Sequence, residues 1–335
     1  MISTSTSMAS PMVRTDRRKC TLLAFCLLLL LAGGSLFVGQ FPLTISGILR
    51  DEPMQRKVFF TLRLARVEVG VVGGFTLGIC GYVYQTVFRN PLASPDVIGV
   101  SSGASAGAAA GILFLGSAVA VAVCAFCGAL AAVGAALALS SLDRSGKKST
   151  IVLAGIGVHA LAQTALMCLK LMADPERELA SIEYWMMGSL SNISASRIGL
   201  NLAICLVCGA ALFPLYRQTV LLSAEEGEAR LLGVSVGRVR LLVLTLATLA
   251  VAAVVSLTGL ISFIGLLAPH GARLLMKGNR KSTMLLSGLL GGCLLCAGDI
   301  FARSVAAAEL PVSVFTSLIG APALIYLTLG RRDDG

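Results

Sequence analysis

The sequence predicts an all-α polytopic membrane protein of about ten transmembrane helices. Three features predict it. Apolar residues make up 56% of the 335 and charged residues 13%, and mean hydropathy is +0.87, whereas soluble domains run at roughly 25% charged. Apolar segments of ~17–23 residues, the length that crosses the hydrocarbon, recur along the chain. Small residues repeat every fourth position at Gly70/Gly74/Gly78, Gly103/Gly107/Gly111 and Gly288/Gly292, the spacing that lets helix backbones approach closely in lipid.

Residues 1–19 are rich in Ser and Thr and end in Arg14, Arg17, Arg18 and Lys19, directly before the apolar run Cys20–Gly39. That run has full membrane length and no small-residue cleavage site, so it reads as an uncleaved first span behind a cytoplasmic tail. Further spans fall near 67–87, 97–115, 117–139, 150–172, 198–216, 238–256, 258–275, 283–302 and 312–329. Residues 20–330 thus form a single ten-span domain, and 331–335 a second cytoplasmic tail. An even number of spans puts both termini on one side. With the N-terminus inside, 18 of the 27 Lys and Arg residues fall on the inner face, as the positive-inside rule requires. The net charge of +10 therefore reports topology rather than nucleic-acid binding.

The most polar interval is Tyr216–Arg240, and residues 217–240 form a loop on the inner side. Ser223 followed by Glu226 has the spacing of a capping box, so a short amphipathic helix is expected to start there and end near Gly233. Two readings stand for it: a solvated connector, or a docking helix for a soluble partner.

No hydrolytic or redox constellation is present. The chain has two histidines, His159 and His270, and no His/Asp/Glu cluster with metal spacing. The stretch SGKKST at 145–150 ends like a phosphate loop, but Ser141 stands where the first glycine is needed; ATP is expected to be bound by another subunit. Six of the ten cysteines form Cys-x-x-Cys pairs within apolar segments, without the electropositive surroundings that thiolate chemistry needs, and they read as small packing residues. His159, Gln163, Met167 and Lys170 share one helix face. Polar groups at membrane depth are costly unless they face a cavity or a partner helix. The face is thus a candidate pathway wall, or a helix interface with Lys170 reaching outward.

At Arg63–Gly107 the residues RLARVEVGVVGGFTLGICGYVYQTVFRNPLASPDVIGVSSGASAG resemble the signature region of FecCD/BtuC-type permeases of bacterial ABC importers. The stretches LLGVSVGRVR (231–240), GLISFIGLLAPHGARLL (259–275) and ELPVSVFTSLIGAPALIYLTL (309–329) resemble the same family in the same order. The resemblance implies a type II ABC importer permease bundle, paired with a second permease subunit and served by two cytoplasmic ATPase subunits that bind ATP and Mg. It also implies an extracytoplasmic binding protein that delivers a ferric siderophore, haem or cobalamin. PLASPDVIG and YWMMGSLSN (184–192) resemble the siderophore branch more than the cobalamin one. No cofactor is expected in this chain.

Under the resemblance, Ser223, Glu225, Glu226, Glu228, Arg230 and Gly233 belong to the coupling helices that seat in the ATPase. Arg63, Arg66 and Arg303 correspond to exposed arginines that dock the binding protein through bidentate pairs with its carboxylates. His159, Gln163 and Met167 fall on a pathway-lining helix that follows a gate loop at Ser140–Thr150. Ala65 departs from the family, which usually has proline there. An ATP-independent secondary transporter is the competing class; it requires buried carboxylates, and Glu68, Asp96, Asp299 and Glu309 all fall close to predicted span ends.

Overall fold

A computed structural model describes residues 17–39, 41–44, 46–47, 52–142, 148–224, 226–233, 235–305 and 309–329. Both predicted tails, apart from Arg17–Lys19, lie outside these residues, as does 143–147 of the inner turn. Among the described residues each predicted span has a helix in its place: α1 (Arg17–Phe37), α2 (Pro53–Val87), α3 (Val100–Phe114), α4 (Ala118–Leu142), α5 (Lys148–Met172), α7 (Ala195–Leu212), α10 (Val236–Thr258), α11 (Ile264–Met276), α12 (Lys281–Ser304) and α13 (Val312–Leu329). Three short helices lie between spans: α6 (Glu178–Met186), α8 (Tyr216–Leu221) and α9 (Glu226–Leu231).

The bundle is built around α2. Its side chains are buried on nearly every side from Ala65 to Val87, which explains a sequence that is apolar around its whole circumference. It packs against α12, α11, α10 and α7, and Tyr84 Oη, wholly buried, shares a hydrogen bond of 2.8 Å with Thr248 on α10. The predicted glycine stripes on α2 and α12 meet each other. A Cβ on Gly78 would stand 2.1 Å from the Ser287 carbonyl oxygen, and one on Gly74 2.5 Å from that of Gly291. Both obstacles are backbone, so the helices would have to part. Gly78→Leu is therefore expected to cost more than the ~1–3 kcal/mol of ordinary overpacking, read as loss of the monodisperse peak in size-exclusion chromatography. Gly134→Leu, at a site where no atom lies within 4 Å, should leave that peak in place.

Three spans differ from expectation, each for a local reason. The second extends outward to Pro53 through a π-helical turn, Val58–Arg63, and continues as helix through Ala65. The third begins at Val100 rather than 97, because Pro91 and Pro95 interrupt the approach and Gly99 adopts φ +83°. Its 15 residues reach only ~22 Å at 1.5 Å each, and the connecting segment sinks into the bundle with Ala93 and Ile98 buried. The eighth begins at Ile264 rather than 258, since Gly259 (φ +70°) and Phe263 (φ +65°) break the helix.

Two polar clusters mark the ends of the bundle. At one end Arg273 of α11 donates to Gln85 Oε1 and, at 3.0 Å, to Thr86 Oγ1 on α2, with its guanidinium 5.2 Å from the Tyr82 ring centroid. That end also carries Arg17, Arg89, Arg238, Lys277 and Lys281 and is termed the inner face. At the opposite, outer face the ends of α1, α2 and α12 converge.

Candidate functional site

The inner face presents α8 and α9 as a short paired element. Ser223 Oγ donates to the Val220 carbonyl at 2.6 Å and closes the end of α8. The Glu226 half of the expected capping box lies outside the described residues. Leu222 and Ala229 are buried at 1% and hold the pair to the bundle, while Glu228 is exposed. Gly233 (φ +79°) follows α9 in the left-handed region where a helix ends. Glu225, and the side chains of Glu226 and Arg230, lie outside the described residues. The charged residues were the sequence-based choice, but the prominent feature is apolar: Leu231 is 90% and Leu232 64% exposed. Two leucines before a terminating glycine in an otherwise charged loop were the available signal.

At the outer face the three arginines expected to be exposed are buried, at 7% for Arg63, 8% for Arg66 and 5% for Arg303. The reason is Asp299, buried in the last two turns of α12 rather than sitting at a solvated span end. Its Oδ1 accepts from Arg66 Nε at 2.7 Å and its Oδ2 from Arg303 Nη2 at 2.6 Å. Arg66 Nη1 also reaches Glu309 Oε2 at 2.9 Å, Arg303 Nη1 donates to the Val38 carbonyl at 2.7 Å, and Arg63 Nη2 to that of Phe41 at 3.3 Å. Two carboxylates thus face three guanidiniums, tying α1, α2 and α12 together. Glu309, its side chain 30% exposed, is the one member of the pairs that faces water appreciably.

On α5, His159 and Gln163 are half-buried and Met167 is 63% exposed, beside a stripe in which Leu153, Ile156, Leu161 and Leu171 are also exposed. The Nδ1 of His159 is buried and has no hydrogen-bond partner among the described residues. Lys170, expected on the same face, instead pairs with Glu183 of α6 at 2.8 Å. Sequence reading missed α6, although Leu179, Ile182 and Met186 recur at helical spacing. Asp174 and Glu178 accept backbone N–H groups of the turn before it. After it, Ser189 N–H donates to the Thr258 carbonyl at 2.7 Å and Val312 N–H to that of Gly188 at 3.0 Å. The helix thus packs on α3 and pairs with α5, while the loop behind it is tied to α10 and α13 at the outer mouth. Residues 143–147 of the gate loop lie outside the described residues. Among the cysteines, Cys205 Sγ lies 3.7 Å from the Ala250 carbonyl and Cys293 Sγ 3.6 Å from that of Ala24; both pack one helix on the next.

These paired faces belong to a described class of protein. The profile of the FecCD transport family matches residues 24–330. The chain belongs to the FecCD transport family. This permease is 38% identical to the cobalamin import system permease BtuC of Halobacterium salinarum, over 81% of its own length and 73% of the relative's. It is 34% identical to the hemin transport system permease HmuU of Yersinia pestis, over 92% and 94% of the two chains. Among solved structures it resembles an inward-facing metal-chelate type ABC transporter with a TM-score of 0.85 and 32% identity, covering 93% of this chain and 99% of the other. The permease is accordingly a multi-pass, non-catalytic translocation subunit of an ABC importer, and the family implies an ATPase, a binding protein and a second permease subunit as partners. The secondary-transporter reading falls with this, although the structure does contain a buried carboxylate: Asp299 is held between two guanidiniums.

Proposed function

We propose that this permease imports a metal chelate, a ferric siderophore, across the cytoplasmic membrane, with its inner face and both termini in the cytoplasm. The likeness to a metal-chelate type transporter over 93% of the chain is the observation that carries the cargo class. The YWMMGSLSN stretch, which supports the siderophore branch, forms the end of α6 and the loop behind it at the outer mouth. A second permease copy is proposed to lie across the exposed stripe of α5, with His159, Gln163 and Met167 near the pathway between them. The ATPase pair is proposed to seat on α8 and α9. The binding protein is proposed to dock at the outer rim, where a carboxylate of that protein would take the place of Glu309 on Arg66. A second reading, cobalamin, is supported by the 38% identity to a cobalamin permease.

Uptake of labelled ferric siderophores, haem and cobalamin in cells with and without the gene, partners present, tests the proposal. Loss of ferric siderophore uptake alone is the expected result. Loss of cobalamin or haem uptake alone would replace the cargo and leave the family assignment intact.

A further inference from the structure

A crevice of about 1480 Å³ opens on the outer half of the bundle, where α4 and α7 diverge over the end of α10 and α6 roofs the gap. It is larger than the roughly 300–1,000 Å³ of small-molecule pockets. Its walls at membrane depth are apolar, with Val123 and Phe126 on α4 facing Leu200 and Ile204 on α7. The polar groups at its floor are already satisfied: Asn201 Nδ2 donates to the Ala253 carbonyl at 2.8 Å and to Ser256 Oγ at 2.7 Å. Nothing in the depth therefore calls for water or an ion. Val123 is 55% and Leu200 74% exposed, so the crevice opens beside surface suited to lipid, and hydrocarbon is the medium that fills an apolar gap there.

The mouth has the opposite character. It lies on the turn leading into α6, where Asp174 Oδ1 and Glu178 Oε2 are engaged by backbone N–H groups. Glu176 and Arg177 also line the mouth, and among the described residues neither side chain has an ion-pair partner. A free cation beside a free anion, above an apolar slot and next to Trp185, matches one chemistry. We propose that this crevice binds a phospholipid with a zwitterionic ethanolamine headgroup, its phosphate on Arg177, its ammonium on Glu176 and an acyl chain between α4 and α7. Arg suits a phosphate, and an indole suits the level of the headgroups. The inference depends on the membrane setting and not on the cargo.

Trp185, which lines the crevice, is the single tryptophan of the chain, so its emission reports occupancy directly. The full-length permease is reconstituted into phosphatidylcholine vesicles containing small fractions of phosphatidylethanolamine or phosphatidylglycerol with brominated chains. Quenching that saturates is expected with phosphatidylethanolamine, at about tenfold lower mole fraction than with phosphatidylglycerol, the effect of one charge-assisted contact. Glu176→Ala, on an exposed turn, should erase the difference between the lipids, which share the phosphate and differ in the ammonium, and Ala122→Phe, which projects into the slot, should remove the saturable phase. Non-saturating quenching that is equal for both lipids in the wild-type chain would mean bulk lipid contact only and would overturn the proposal. So would absence of quenching, the result if a second copy or water fills the crevice, or a preference for phosphatidylglycerol.

Discussion

Asp299→Ala is expected to lower the thermal midpoint of the purified permease by on the order of 5–10 °C, as measured by size-exclusion after heating. The carboxylate is buried, and each of its oxygens receives a guanidinium, at 2.7 and 2.6 Å. Removing it leaves Arg303 buried without a carboxylate and Arg66 with Glu309 alone. Breaking a buried pair costs about 3–5 kcal/mol, because the surviving charge stays desolvated without compensation, and a few degrees per kcal/mol is the usual conversion. Glu309→Gln removes the other carboxylate of the cluster, but from a side chain 30% exposed, where a pair contributes about 0–1 kcal/mol. Its shift should be under about 2 °C. The double change Asp299→Ala with Arg303→Leu should be milder than Asp299→Ala alone, since the stranded charge is gone. If Asp299→Ala melts with Glu309→Gln, the cluster does not hold the outer ends of α1, α2 and α12 together.

That cluster also shows where sequence reading stops. The helices were legible because membrane length, glycine spacing and the distribution of Lys and Arg are properties of single segments, and each predicted span has its helix. What failed was pairing across segments. Asp299 is 233 residues from Arg66 in the chain, so nothing local reveals that a carboxylate near the end of one span neutralises an arginine near the start of another. The arginines were therefore expected to be exposed. The short spans were misjudged for a related reason: Gly99, Gly259 and Phe263 break helices through positive φ values, which apolar runs do not display. Phe263 in particular is a residue for which that conformation is unusual. The amphipathic α6 was visible in its spacing but too short to stand out among membrane-length segments, and the anchors of the loop behind it, Thr258 and Val312, are distant in sequence.

The α8–α9 element, proposed above as the seat of the ATPase, stood out in the sequence by its charge, but the prominent exposed side chains on it are leucines. Leu231 is 90% exposed on a short helix whose opposite side is pinned by Ala229, at 1%. A leucine held out on the basic inner face gains about 1.5–3 kcal/mol when a partner buries it. Leu231→Glu loses that gain and forces a charge into the contact, so it should weaken association with the ATPase by more than about 30-fold, the equivalent of 2 kcal/mol. Co-purification of the ATPase would measure it, and cargo uptake should fall in parallel. The substitution sits on a side chain already in water, so insertion and chromatographic behaviour should match the wild type. Glu228→Lys changes a charge one turn away on the exposed side, and its effect should be smaller and should shrink with added salt, as a rim charge behaves. If Glu228→Lys abolishes association while Leu231→Glu is tolerated, charge carries the coupling and the exposed leucines do not.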